Sequence, residues 1–338
     1  MNSIQRIDPH LPFIDLHRHL DGSIRLETIL DLAQQHHLSL PASDVETLRP
    51  YIQVTEPQPS VMSFIGKFQW MTYILLDYPA CYRVAYENVE DALKEGLDYV
   101  ELRFSPSFMA EAHKLDPFGV TEAVCAGVVD ASRALVMPAN VIGIISRTYG
   151  QEAGWNELQA LLSQKERIVA IDLAGDEANY PATLFENHFK KARDAGWNVT
   201  VHAGEIAGAQ SIWDAILKLG ASRIGHAVAA LSDRKLMAYM LDKRIAIECN
   251  LTSNVQTMTV KSYATHPVKQ FLEYGLLATL NTDDPGISAI NLAYEYEVAA
   301  PAAGLSSEQI CQLQLNALEA AFLDTGQKQK LLQKKQNH

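Results

Sequence analysis

Short runs of β-branched and aliphatic residues recur along the chain and alternate with segments of helical periodicity, and this alternation restricts the fold more than any other feature. The runs are Pro12 to His17, Tyr99 to Phe104, Asn140 to Ile145, Ile168 to Leu173, Asn198 to His202, Arg223 to His226, Ile245 to Glu248 and Leu276 to Thr282. Helices are predicted between them at Val120 to Leu135, Ala182 to Ala195, Gln210 to Leu219, Asp233 to Leu241 and His266 to Tyr274. Several end near the glycine that helix C-termini favour (Gly196, Gly220, Gly275). Apolar strands separated by helices imply a parallel sheet covered on both faces. Eight such units predict a single (β/α)8 barrel of the TIM type, and 338 residues suit one such catalytic domain spanning 1–338. A doubly wound open sheet is the competing arrangement, but it usually carries a glycine-rich phosphate turn after its first strand, and no G-x-G-x-x-G or Walker pattern occurs.

The first crossover, from Asp21 to about Asp98, is abnormally long. Residues 22–97 are therefore expected to form a helical insertion overhanging the barrel mouth, interrupted by Pro50, Pro57 and Pro59. Within it Val61, Phe64, Ile65, Phe68 and Met71 recur at helical spacing. Such a stripe is ordinarily core packing, and a cover facing a bound ligand has the same pattern.

Charge and cysteine content narrow the function classes. A formal net charge of -12 disfavours phosphate backbones and anionic lipid, so neither nucleic acid nor membrane is an expected partner. The C-terminal lysines (Lys328, Lys330, Lys334, Lys335) read as a solvated, fraying helix end. Cys81, Cys125, Cys249 and Cys311 form no CxxC pair and suit small buried residues in a reducing compartment. The N-terminus lacks the apolar core of a signal peptide, and no apolar stretch approaches the ~18 residues of a membrane span, so a cytoplasmic location is expected. No obligate protein partner is evident.

In a barrel of this kind catalytic residues sit at the C-terminal ends of the strands, and metal-ligand chemistry falls at four such ends here. His17 and His19, two apart in a strand, point to one face. His202 ends the strand NVTVH on the same side as Thr200, and Asp283 follows LLATLNT. Three imidazoles and a carboxylate suit Zn²⁺, whose bound water has a pKa of about 7. Strand four ends Asp172-Leu173-Ala174-Gly175-Asp176 without a lysine to bridge two metals, so one ion per chain is expected. His226 can hydrogen-bond the water. Glu205, three residues past His202, can reach the site, although a carboxylate there can also simply offset a helix dipole.

The stretches FIDLHRHLDGSIR, YVELRFSP, IDLAGDE, VHAGE, RIGHAV, CNLTSNVQT and LNTDDPGIS, running from Phe13 to beyond Ser288, together closely resemble the adenosine deaminase family. The resemblance implies that His17, His19, His202 and Asp283 hold zinc, that Glu205 protonates purine N1 as hydroxide attacks C6, and that His226 orients and deprotonates the water. It further implies that the Gly175 N–H and His19 meet the substrate, that Asp284 reaches N7, that Asp21 binds the ribose 5′-hydroxyl, and that Phe64 and Phe68 form an apolar lid. The implied reaction is zinc-dependent conversion of adenosine or 2′-deoxyadenosine to inosine or deoxyinosine plus ammonia, in purine salvage, with a purine nucleoside as the small-molecule partner.

Chemistry then sets two demands: Glu205 must begin protonated, and Asp284 must carry a proton to donate to N7. Two positions depart from the family pattern. Ala227 stands where glycine is common, which makes φ > 0 less comfortable, and Arg18 sits between the paired histidines with its side chain expected to point away from the metal. The nearest rival is deamination of free adenine, but relatives of that kind tend to have Glu where this chain has Asp21. A barrel that binds nucleosides without turnover is disfavoured by the presence of Glu205, His226 and Asp284. The H-x-E and P-C-x-x-C signatures of polynucleotide deaminases do not occur.

Overall fold

The computed structural model describes residues 7–54, 56, 58 and 64–336. Eight parallel strands lie in the order of the sequence: β1 Ile14–His19, β2 Tyr99–Phe104, β3 Ala139–Ser146, β4 Ile168–Ala174, β5 Asn198–Ala203, β6 Arg223–His226, β7 Ala246–Cys249 and β8 Leu277–Leu280. Closure is made by main-chain bonds just beyond β8: Asp283 N donates to His17 O at 2.8 Å and His19 N donates to Asp283 O at 2.7 Å. The result is a nearly closed (β/α)8 barrel with helices around it. β1 carries one irregularity, an extra residue between Asp15 and Arg18 relative to β2. β4 and β5 pair only at Ala170–Asn198 and Ile171–Val199, so their C-terminal ends are released from the ladder.

Helices appear where the periodicity predicts them, with altered ends. Pro117–Leu135 and Arg234–Lys243 are regular, each with an aspartate cap accepting a main-chain N–H. Ala182–Phe185 is a 3-10 turn leading into Glu186–Asp194, and Ala209–Asp214 continues as a wider π-turn through Leu219. Gly196, Gly220 and Gly275 have φ of 91°, 79° and 88°, the left-handed helix stop their positions suggest.

The segment between β1 and β2 holds helices Leu26–Gln35, Val45–Ile52 and Tyr78–Lys94, with a shorter helical stretch through Gln69–Tyr73. Pro50 lies inside Val45–Ile52 instead of ending it. Phe64, Phe68 and Met71 of the predicted stripe are buried; Val61, Pro57 and Pro59 lie outside the described residues. Val54 N donates to Ile287 O at 2.8 Å, tying this segment to the loop after β8. Arg18 points outward from β1 as parity requires, but it is buried, its two terminal guanidinium nitrogens donating to Glu95 at 2.9 Å.

The lysine-rich C-terminus corrects the sequence reading in part: Lys330 and Lys334 are exposed, but Lys328 and Lys335 are half-buried. Thr325–Gln336 is a helix whose Leu331 packs in the cluster of Ile14, Leu16 and Tyr99 beneath the barrel, and Lys335 pairs with Asp98 at 2.9 Å. Asp98 also accepts from Phe13 N at 2.8 Å, so the lysine clamps the chain's last helix to its first strand. Among the described residues no helix is long and apolar enough to cross a membrane.

Candidate active site

The strand sequences look apolar, yet five charged residues of β2, β4, β6 and β7 meet inside the barrel. Glu101 and Arg103 of β2, Asp172 of β4, Arg223 of β6 and Glu248 of β7 are all fully buried or nearly so. Glu248 accepts from Arg103 at 2.9 Å, from Arg223 at 2.6 Å and from Thr200 at 2.9 Å. Arg103 also donates to Asp172 at 2.9 Å, and Arg223 to Glu101 at 2.6 Å. Buried charges are tolerable only when paired this completely. Against the cost of burial, Arg103 and Arg223 hold Glu248 well below the usual carboxylate range, and His202 and Arg103 do the same for Asp172.

This ionic layer orients the imidazoles above it. His17 Nδ1 lies 2.7 Å from Glu248 and His202 Nδ1 lies 3.0 Å from Asp172. Each carboxylate takes the Nδ1 hydrogen, which leaves the Nε2 lone pair of each ring free toward the mouth. His17 Nε2 is buried and has no hydrogen-bond partner, although Asp283 Oδ1 lies 3.1 Å away. His19 Nε2 lies 3.2 Å from His202 Nε2 and 3.3 Å from Asp283 Oδ1. These separations match the edge of about 3.3 Å expected between tetrahedral zinc ligands with bonds of ~2.0–2.1 Å. His17, His202, His226 and Asp283 offer donor atoms all within 4.8 Å of one another, while His19 lies outside that set and joins the group through its contacts with His202 and Asp283.

Most of these imidazoles are held neutral, the form in which a nitrogen can donate to a metal. Burial pushes His19 well below its ordinary value and lowers His202. His17 is raised: burial and Arg103 push it down, but Asp283 and Glu248 outweigh them. The His17–Asp283 edge thus attracts positive charge from the protein groups alone. Gly225 makes room for this arrangement, since a Cβ there would come within 2.9 Å of His17 Cε1.

Glu205 stands on the loop after β5, and the following helix begins only at Ala209, which removes the helix-dipole role. Its carboxylate lies 3.7 Å from His226 Nε2. Burial, then Asp283 and Glu177, raise Glu205 well above the ordinary range. Burial and the neighbouring Asp283, Asp21 and Glu205 do the same to Asp284, whose Oδ1 is buried without a partner. Both carboxyls are thereby biased toward the protonated form. Asp284 fits only because residue 22 is glycine: a Cβ there would lie 1.9 Å from Asp284 Oδ1. His226, Ala227 and Asp283 all have left-handed backbone, φ 65°, 51° and 63°, a concentration of strain at one site.

Two adjoining cavities open above the donors. The inner, about 90 Å³, is lined by His19, Phe64, Ile65, Phe68, Gly175, His202, Glu205, His226, Asp283 and Asp284, among others. The outer, about 310 Å³, has Asp21, Ser105, Glu111, Ser146, Thr148 and Tyr149 in its wall and shares His19, Phe68 and Gly175 with the inner. Burial raises Asp21 to about 7. A larger space of about 710 Å³ lies at the opposite end of the barrel around Arg244, Glu319 and Lys328, without converging donors.

The structure thus brings together every residue the sequence singled out for the site. It adds those that sequence reasoning passed over: Arg103, Asp172 and Glu248 behind the imidazoles, and Glu177. Glu177 accepts from the N–H groups of Gly204 (2.5 Å), Glu205 (3.1 Å), Ile206 (2.9 Å) and Ala207 (3.1 Å) and from Ser211 Oγ (2.5 Å), pinning the loop that carries Glu205. Charged residues inside otherwise apolar strands are the signal that could have found the first three.

Residues 12–337 match the family model described as adenosine deaminase. The chain is 57% identical over 328 residues to the adenosine deaminase of Klebsiella pneumoniae subsp. pneumoniae, covering 97% of this chain and 98% of the relative. Among solved structures it resembles an adenine deaminase from Arthrobacter aurescens with a TM-score of 0.88 at 23% identity, covering 97% and 98% of the two chains, a likeness of fold. The Arabidopsis N6-mAMP deaminase superposes with a TM-score of 0.83 at 26% identity, covering 98% of this chain and 99% of that one.

Proposed function

The chain belongs to the adenosine deaminase family, and from that premise we propose that it hydrolyses adenosine, and 2′-deoxyadenosine with it, to the 6-oxopurine nucleoside and ammonia in purine salvage, at a centre holding one zinc ion. The observation that carries the reading is the meeting of His17, His19, His202 and Asp283 beside a Glu205 carboxyl that burial pushes well above its ordinary range. Those four residues are the ligands in this reading. Bound there, zinc would supply a water molecule acidified to a pKa of about 7.

The chain's own groups do the rest. A purine in the inner cavity lies under Phe64 and Phe68, with the Gly175 main chain at its edge and Asp284 donating its proton to N7. As the water oxygen adds to C6, electron density moves onto N1, and Glu205 delivers its proton there so that no ring anion forms. Glu177 keeps Glu205 at that position through the pinned loop. His226 faces the same oxygen. The water gives one proton back to the Glu205 carboxylate, and as the tetrahedral adduct collapses its hydroxyl proton passes to the C6 amino group, the C6–N bond breaks, C6=O forms and ammonia leaves.

The outer cavity favours a nucleoside over a free base, because its wall of Asp21, Ser105, Ser146 and Thr148 offers hydrogen-bond partners to a ribose and a free base would leave it unfilled. Residues 1–338 act as one catalytic unit in this reading, with 22–97 the cover over the mouth. Four free thiols, three of them buried, accord with a cytoplasmic location.

The test is the fall in adenosine ultraviolet absorbance, with 2′-deoxyadenosine and adenine in parallel, before and after chelation and zinc readdition. Turnover of both nucleosides, lost on chelation and restored by zinc, is the expected result. Failure of the metal-replete protein to deaminate any of the three removes the proposal, and preference for adenine moves it to the free base.

A further inference from the structure

The CNLTSNVQT stretch contributes Asn250 and Asn254, which the mechanism above does not use, and beyond it lies a buried histidine, His266. The hydrogen bonds among these groups have a fixed direction, because one end of the chain is a main-chain N–H whose role is unambiguous. Val268 N donates to His266 Nδ1 at 3.1 Å. His266 Nδ1 therefore carries the lone pair, and burial, which lowers its pKa to about 3, keeps the ring neutral. Its hydrogen is on Nε2, 3.2 Å from Asn254 Oδ1.

With its oxygen taken, Asn254 turns its NH2 the other way. The Nδ2 atom lies 3.1 Å from Thr259 Oγ1 and 3.0 Å from His226 Nδ1. Thr259 Oγ1 places its own hydrogen on Asn254 O at 3.1 Å, so it accepts from the amide. The second amide hydrogen goes to His226 Nδ1, which must then be the acceptor. Asn250 Nδ2 sits 3.4 and 3.5 Å from the two ring nitrogens of His226, almost equidistant, and so selects neither. Turning the Asn254 amide over would set two donors against each other at His266, at a cost of about 1–3 kcal/mol for the group left unsatisfied.

We infer that His266 and Asn254 are positioning residues that lock neutral His226 as the tautomer protonated on Nε2, so that His226 donates a hydrogen bond to the reacting oxygen and has no lone pair there to act as its base. This rests on the reading of the site as a deaminase centre. It also revises the deprotonating role that the family resemblance implies for His226. The Nε2 atom faces the space between Glu205 Oε2, 3.7 Å away, and Asp283 Oδ2, 3.8 Å away, where an N–H stabilises negative charge developing on an oxygen.

The measurement is two-bond ¹H–¹⁵N correlation on full-length, zinc-loaded protein with ¹⁵N-labelled histidine, the His226 signals being assigned by their absence in His226→Gln. The expected pattern is protonated Nε2 and unprotonated Nδ1 for both His226 and His266. Asn254→Asp offers a carboxylate to both rings, and it is expected to move the His226 proton to Nδ1, leave His266 unchanged and lower kcat by roughly 10- to 100-fold, the usual scale for groups that orient a site's imidazoles. A wild-type spectrum with His226 protonated at Nδ1 overturns the inference whether or not the variant folds, and so does an unswitched pattern in Asn254→Asp. The spectrum requires no turnover, so an inactive protein with the expected pattern counts against the deaminase reading and not against the tautomer.

Discussion

The lower half of the barrel interior and its mouth are built from the same residue types and treat them oppositely. Below, Glu101, Arg103, Asp172, Arg223 and Glu248 satisfy one another, and Arg223 also stacks 3.6 Å from the Phe322 ring that closes the floor. Above, His17 Nε2 and Asp284 Oδ1 are buried without partners, and three non-glycine residues hold left-handed backbone. Charges paired ion to ion within the chain orient their neighbours, even though Arg103 keeps one unpartnered Nε, whereas at the mouth Asp284, with its unpartnered Oδ1, lines a cavity and is available to a ligand. The large space at the floor makes the same point, because volume without convergent unpaired donors defines no chemistry.

The sharpest way to break this contrast is to remove a ligand at the mouth. Asp283→Ala is expected to lose stoichiometric zinc and, with it, activity to background, since the donor set falls below four; metal analysis showing full occupancy would falsify the ligand assignment. Glu205→Gln should keep its metal and lose about 10²-fold or more in kcat, the scale of a lost general acid. Near-normal kcat in that variant takes Glu205 out of the mechanism.

Changes one layer down should be milder and should read out through the imidazoles. Asp172→Asn and Glu248→Gln are each expected to weaken zinc binding by about 10- to 100-fold in chelator competition, because the Nδ1 partner that fixes the ring is altered. Unchanged affinity in both would mean that the floor only fills the barrel. Smallest of all is Ala227→Gly, where release of about 1–2 kcal/mol of left-handed strain opposes loss of a buried methyl worth about 0.8 kcal/mol. Its melting temperature should stay within a few degrees of wild type with kcat unchanged, and a large drop would show that the methyl, not the backbone, governs that turn.

The mouth was legible in the sequence and the floor was not, for a physical reason. His17, His19, His202, Glu205, His226 and Asp283 stand at strand ends, where chemistry-bearing residues interrupt the apolar pattern and are conspicuous. Arg103 and Glu248 sit inside strands, and only strand parity plus closure of the barrel reveals that they face each other. Glu177 and the His266–Asn254 pair depend on loop conformation that no periodicity encodes. The C-terminal helix was only half read, because lysine spacing speaks of solvent, as it does at Lys330 and Lys334, whereas Leu331 and the Lys335–Asp98 pair anchor that helix beneath β1.

The two main-chain bonds that fasten the last strand to the first are made by His17, His19 and Asp283 themselves. With the proposed ligand set, the clasp of the barrel and the metal cradle are therefore one object. A growing polypeptide carries three of those four residues before it has the fourth, and only the joining of β1 to the segment after β8 completes the set. Metal capture at such a centre is accordingly expected to follow closure of the barrel, late in folding, in contrast to a finger domain that gathers its ion locally.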